Sequence, residues 1–172
     1  MARLIKTAFI ATVALTILAA AVGAQMLSNG ARVQESITGS GNFTDGNGDF
    51  RTFAFQAHRF SDGTVTGQWT RINHTEDLDP AHGIITCFLI IGNQVLASGF
   101  ANTGVFSAPP NNGVGFHFVD NGQGKNSPPD QMSLQFVGLT PAQVTTYCAG
   151  GFGFTPPLND VEAGNLKIHV KN

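Results

Sequence analysis

From residue 25 onward, apolar and polar residues alternate in short runs that end at Gly, Asn, Asp or Pro, and helical spacing of apolar residues is almost absent. A period of two sends successive side chains to opposite faces, so the pattern predicts β-strands with one buried side. A weakly patterned strand covers residues 32–38. The clearest one covers 50–60, with Phe53, Phe55 and Ala57 on one face and Thr52, Ala54, Gln56 and His58 on the other. Ser61-Asp62-Gly63 is turn chemistry, and a hairpin leads into 64–73, where Val65, Gly67 and Trp69 oppose Thr64, Thr66, Gln68 and Thr70. Residues 83–91 are apolar on both faces and are expected to form the most buried strand.

Gly92-Asn93 then turns the chain into a strand over 94–101, and 102–113, with Pro109-Pro110 and Asn111-Asn112, reads as a loop. In the next strand Val114, Phe116 and Phe118 alternate with Gly115, His117 and Val119. Residues 120–130 are too polar and too rich in Gly and Pro to pair regularly. A strand over 131–137 places Met132, Leu134 and Phe136 on one face. Pro141-Ala142-Gln143 opens one short helical turn before Cys148, and a last strand over 165–171 turns Leu166, Ile168 and Val170 inward. Seven to nine short strands joined mostly in sequence predict an all-β antiparallel meander closing into a small barrel, with a two-sheet β-sandwich as the alternative. Closure is favoured because the strands lack the charges and prolines that blunt an open edge.

The first residues change the picture from fold to address. Arg3 and Lys6 precede an apolar run from Thr7 to Val22 that ends in Val22-Gly23-Ala24 before Gln25. This is the grammar of a cleaved signal peptide over residues 1–24, leaving 25–172 as a single all-β domain. The run falls short of the roughly 20 residues a spanning helix needs, so the mature form is expected to carry no transmembrane segment and to be secreted or periplasmic. In such a compartment Cys87 and Cys148 are expected to form a disulfide. Closing that loop stabilises a fold by roughly 4 kcal/mol on the chain-entropy account. The formal net charge is −2, and losing Arg3 and Lys6 makes the remainder more acidic. With no Lys/Arg cluster anywhere, nucleic acid is not an expected partner.

No cofactor fingerprint or nucleophile signature stands in the chain, so no cofactor is assigned. Asp45-Gly46-Asn47-Gly48-Asp49 spaces three oxygen ligands as a calcium loop begins, but Phe50 replaces the turn glycine and Gln56 the closing Glu, which favours a plain solvated turn. Asp120, Asn126 and Asp130 raise the same question, with a self-bonded loop as the simpler reading. His58, His74, His82, His117 and His169 lack ligand spacing on any one element. Asn42-Phe43-Thr44 and Asn73-His74-Thr75 match a glycosylation triplet. Trp69 is a candidate ligand platform, and Phe106 and Phe152, in loops, are candidates for exposed contacts. The expected function is a non-catalytic domain that binds a protein partner, a glycan or a small apolar ligand through loops or the barrel mouth. The alternatives are an enzyme using His58 or His117 with Asp120 or Asp130, and a structural envelope protein.

Phe53-Ala54-Phe55-Gln56-Ala57-His58, Asp62-Gly63, Ile85-Thr86-Cys87, Gly92-Asn93, Asp120-Asn121-Gly122-Gln123-Gly124 with Asp130, and Gly164-Asn165-Leu166-Lys167-Ile168-His169 follow one another in an order that resembles a family of small exported bacterial β-proteins, some labelled post-COAP domains. The resemblance covers most of residues 50–170. It implies export, an all-β domain and a bacterial source, and it supplies no catalytic residue.

Overall fold

The computed structural model describes residues 30–76, 80–124, 126–149 and 156–171. The leader predicted over 1–24 and Phe152 lie outside them. The alternating runs form β1 (Val33–Thr44), β2 (Phe50–Phe60), β3 (Val65–Asn73), β4 (Ala81–Ile91), β5 (Gln94–Ala101), β6 (Gly113–Val119), β7 (Gln131–Ser133), β8 (Phe136–Leu139), β9 (Leu158–Asp160) and β10 (Ala163–Val170), with one helix, α1 (Pro141–Ala149), between β8 and β9. Every pairing is antiparallel. The strands make one sheet in the order β10-β1-β2-β3-β4-β5-β6-β7-β9, with β8 also paired to β6. The sheet is curled into a half-barrel around a single core, so the sandwich alternative is set aside.

Aromatic rings fill the concave side. Phe55 stands 4.5 Å from Phe118 and 5.8 Å from Phe116, and Phe116 stands 5.3 Å from Trp69, measured between ring centroids. Such pairs add about 0.5–1.5 kcal/mol each beyond the area they bury. Trp69 reaches this position because its neighbour across the ladder is Gly83. A Cβ there would stand 2.7 Å from the indole Nε1.

The expectation that residues 83–91 form the most buried strand is corrected. In β4, Ile84 and Ile91 are 41% and 47% exposed, while every residue of β6 is buried. The difference lies on the convex side, where α1 covers β6: Val144 packs over Gly113, and the Tyr147 ring lies so close to Gly115 that a Cβ would meet it at 2.9 Å. The helix is longer than the single turn expected. Thr140 Oγ1 accepts from the Gln143 N–H at 3.3 Å, and Gln143 Oε1 accepts from the Thr140 N–H at 2.9 Å, a reciprocal cap with Pro141 in the first turn. Cys148 ties the other end of α1 to β4 through its disulfide with Cys87, at a Cα separation of 6.2 Å. Between them Ser98, fully buried, donates to the Val144 carbonyl at 2.7 Å.

Where a strand reaches the sheet's rim, alternation misplaces side chains. The strand expected over 131–137 breaks at Leu134-Gln135 into β7 and β8, which sends Phe136 outward at 37% exposure instead of into the core with Met132. Val170, expected inside with Leu166, is 53% exposed at the end of β10. The first strand extends to Thr44, because β2 pairs with it from Val33 to Thr44 and β10 from Glu35 to Asn42.

The curl leaves the outer edge of β10 facing the 120–130 loop, and two carboxylates complete that edge. Asp130 accepts the N–H of Leu166 at 2.7 Å and that of Asn121 at 2.8 Å. Asp120 accepts the N–H of Ile168 at 2.9 Å and that of Gly122 at 2.8 Å. Each thus closes its own loop with one oxygen and holds the β10 backbone with the other.

Replacing Asp130 by Ala strands a buried amide and is expected to lower unfolding free energy by about 1–3 kcal/mol. Urea melts with amide exchange at Leu166 read this directly; an unchanged midpoint with full protection at Leu166 contradicts the bridging role. The chain has a single tyrosine, and burial pushes the Tyr147 phenol up to about 12 from its ordinary 10.0. The fold favours the neutral phenol, so its contribution to stability is fully present below pH 10.0 and lost as pH rises through about 12. Ultraviolet titration should show no tyrosinate at the ordinary pH while the fold persists.

Candidate functional site

The convex face of β10, β1, β2 and β3 carries the polar half of the alternation, and the ladder registers set its side chains in rows that run across the strands. One row is Lys167, Thr38, Gln56 and Gln68; the next is Asn165, Ser40, Ala54 and Thr70. Neighbouring strands stand about 4.8 Å apart, so each row offers roughly one side chain per 4.8 Å along a line perpendicular to the chain. Short Ser40 and Ala54 between the long Gln56, Gln68 and Lys167 side chains leave a shallow open depression of about 500 Å³. Its upper surface is amide, hydroxyl and one ammonium, with Gly39, Phe55 and Trp69 beneath.

The residues singled out from sequence are distributed otherwise. Trp69 is 2% exposed and packs in the core, where the ring it was expected to offer to a ligand meets Phe116 instead. Phe106 is 37% exposed in the β5–β6 loop beside Val105, which is 67% exposed. The two are well away in sequence from the strands that make the depression, and Phe152 lies outside the described residues. The interior expected as a possible ligand cavity is occupied by the aromatic cluster. The convex face was missed because its Thr, Ser and Gln residues read as the solvated half of each strand. The signal that could have found it is their coincidence in consecutive strands.

The acidic loops serve the fold. Asp45, expected on a solvated turn, is 5% exposed. Its carboxylate accepts the N–H groups of Asn47 at 2.9 Å and Asp49 at 3.1 Å and the Arg51 Nε at 2.6 Å. Burial alone pushes this carboxyl up, but the Arg51 and backbone hydrogen bonds outweigh it and hold the pKa below the ordinary value. Arg51 also binds Asp49 at 2.7 Å, so a guanidinium stands between the two carboxylates where a cation would sit. Asn73 is buried, and its amide donates to Asp49 and Glu76, which removes it as a glycosylation acceptor in the folded chain.

The proposed acid–base pairs are also accounted for. Asp120 and Asp130 give both oxygens to backbone N–H groups at the seam. His117 Nε2 meets Gln94 Oε1 at 3.0 Å, and burial lowers its pKa from the ordinary value. Among the described residues no three His, Cys, Asp or Glu side chains converge as a metal site requires, and no helix is long and apolar enough to cross a membrane. Comparison with protein-family models, with curated proteins and with solved structures gives no match.

One buried charge in this region has its Nε without a hydrogen bond among the described residues. It is Arg71, which follows Trp69 by two positions on the concave face. Burial, with Arg51 nearby, lowers its pKa to about 10, against the opposing pull of Asp45, Glu76 and Asp49. Desolvation outweighs that attraction, and a buried charge that is imperfectly compensated costs more than an apolar side chain of the same length. Arg71→Met is therefore expected to raise the melting temperature, read by calorimetry at neutral pH, and a fall would show that the guanidinium has a stabilising partner.

Proposed function

We propose that this chain is an exported, non-catalytic binding protein whose convex sheet face, over β10, β1, β2 and β3, takes a glycan. The observation that carries the reading is the pair of cross-strand rows, Lys167-Thr38-Gln56-Gln68 and Asn165-Ser40-Ala54-Thr70, lining one open depression. A glycan is a chain of hydroxyl groups that both donate and accept. Gln and Asn amides and Ser and Thr hydroxyls do the same, and their strand-spaced repeat is commensurate with successive rings of an extended saccharide. A protein partner would instead be met by a central apolar or aromatic anchor, and the one tryptophan is turned into the core. A small apolar ligand would need a concave apolar cavity, and the rings of the core fill that space.

The Cys87–Cys148 disulfide supports an oxidising compartment, in line with the leader read over residues 1–24 and with the likeness to small exported bacterial β-proteins. A secreted or periplasmic location is part of the proposal. A rigid sheet suits the task, because side chains fixed by ladder pairing lose little further freedom on binding.

Isothermal titration of the protein from residue 25 onward against neutral and acidic oligosaccharide panels tests the reading. Binding is expected to weaken by about tenfold or more in Gln56→Ala/Gln68→Ala, since two hydrogen bonds worth about 0.5–1.5 kcal/mol each are lost. Both positions are exposed, so the fold should be unaffected. Absence of binding across the panels, or affinity unchanged in the double variant, sets the proposal aside.

A further inference from the structure

The charges of this face are distributed unlike those of the rest of the chain. The protein holds 11 Asp and Glu against 9 Lys and Arg. Yet β1, β2, β3 and β10 together contain a single carboxylate, Glu35, and it pairs with Arg59 at 3.4 Å. Of the cations in these strands, Arg51 is bound by Asp45 and Asp49, Arg59 by Glu35, and Arg71 lies on the concave side. Lys167 is the exception. It stands exposed in the first row, level with Thr38 and Gln56, and among the described residues no ion pair or hydrogen bond holds its ammonium. His58 and His169 flank the rows on the same face, level with Ser36.

We infer that the ligand of this face is an acidic glycan bearing isolated carboxylates, a uronate-containing polysaccharide of low charge density, with Lys167 as the residue that reads the carboxylate. The inference rests on the proposal that the face binds a glycan. A surface cleared of carboxylates, in a protein that is acidic overall, removes the repulsion an anionic chain would meet. One ammonium amid neutral donors matches an occasional negative charge. A densely sulfated or phosphorylated polymer would call for the clustered Arg and Lys that the face lacks. Asn165 and Thr38 stand beside Lys167 and supply neutral partners for the hydroxyls next to the carboxylate.

The probes are a largely methyl-esterified oligogalacturonate that keeps occasional free carboxylates, its fully methyl-esterified form, a neutral galactan of similar length, and dextran sulfate. Each is titrated at low and at high salt into the wild type, Lys167→Gln and Gln56→Ala/Gln68→Ala. An exposed pair of this kind gives a factor of about two to five at low ionic strength. The sparsely charged oligogalacturonate should therefore bind about threefold more tightly than its full methyl ester, and the advantage should vanish in Lys167→Gln and in high salt while ester binding persists. Equal affinity for acid and ester overturns the inference and leaves the glycan reading standing. So does preference for dextran sulfate, which would mark a polyanion surface. Failure of every saccharide to bind overturns both.

Discussion

The packing of Phe55, Phe116, Phe118 and Trp69 against one another inside the curl is the constraint on which the rest of the molecule depends. A small sheet can close on a ligand or on its own side chains. Here bulky rings occupy the concave side, and Gly83 across the ladder gives the indole its room. With the inside occupied, polar chemistry is displaced to the convex face, the rim and the loops. The convex face then inherits its order from the ladder: because the aromatic stripe fixes the register, it also fixes which Thr stands beside which Gln.

The same division explains the polar groups that are buried. Asp45 and Arg51 lock the β1–β2 turn, Asp120 and Asp130 hold the seam, and Ser98 anchors α1 at the disulfide. The last two join elements that the strand ladder does not join, and the first closes the end of a pairing that it does. These residue types are also the ones a reader of sequence associates with metal binding or general base catalysis. In this chain their lone pairs are taken by backbone N–H groups and one guanidinium.

The strands over β2, β3 and β5 were legible because alternation, Asp62-Gly63 and Gly92 all point the same way, and local preference agrees with the final pairing. What alternation could not report is what lies over the second face. Ile84 and Ile91 look like core from composition and are exposed, while Gly115 looks like part of a polar face and is buried, because α1 lays Val144 and Tyr147 over β6 and meets β4 at Cys87, away from both isoleucines. That position depends on Cys148 and on the Thr140–Gln143 cap, whose signature was present in the sequence and understated as a single turn. The seam was not legible at all. Asp130 and Leu166 are 36 residues apart, and only the curvature of the whole sheet brings them together. The candidate site was half legible: Ala54, Gln56, Gln68 and Thr70 were placed on the polar faces of two strands, but Ser40 lay beyond the expected first strand and the lateral alignment across four strands requires the registers.

The two seam carboxylates have a consequence for how this protein behaves in company. A terminal strand with free amides is a template on which another polypeptide can lay down a strand of its own and so begin a fibre. On β10 the amides of Leu166 and Ile168 are already taken by side chains. An incoming chain would have to evict two carboxylate side chains that are already bonded to that edge. Asp120 and Asp130 thereby act as guards against self-assembly, a service that matters for a protein that would work outside the reach of cytoplasmic chaperones.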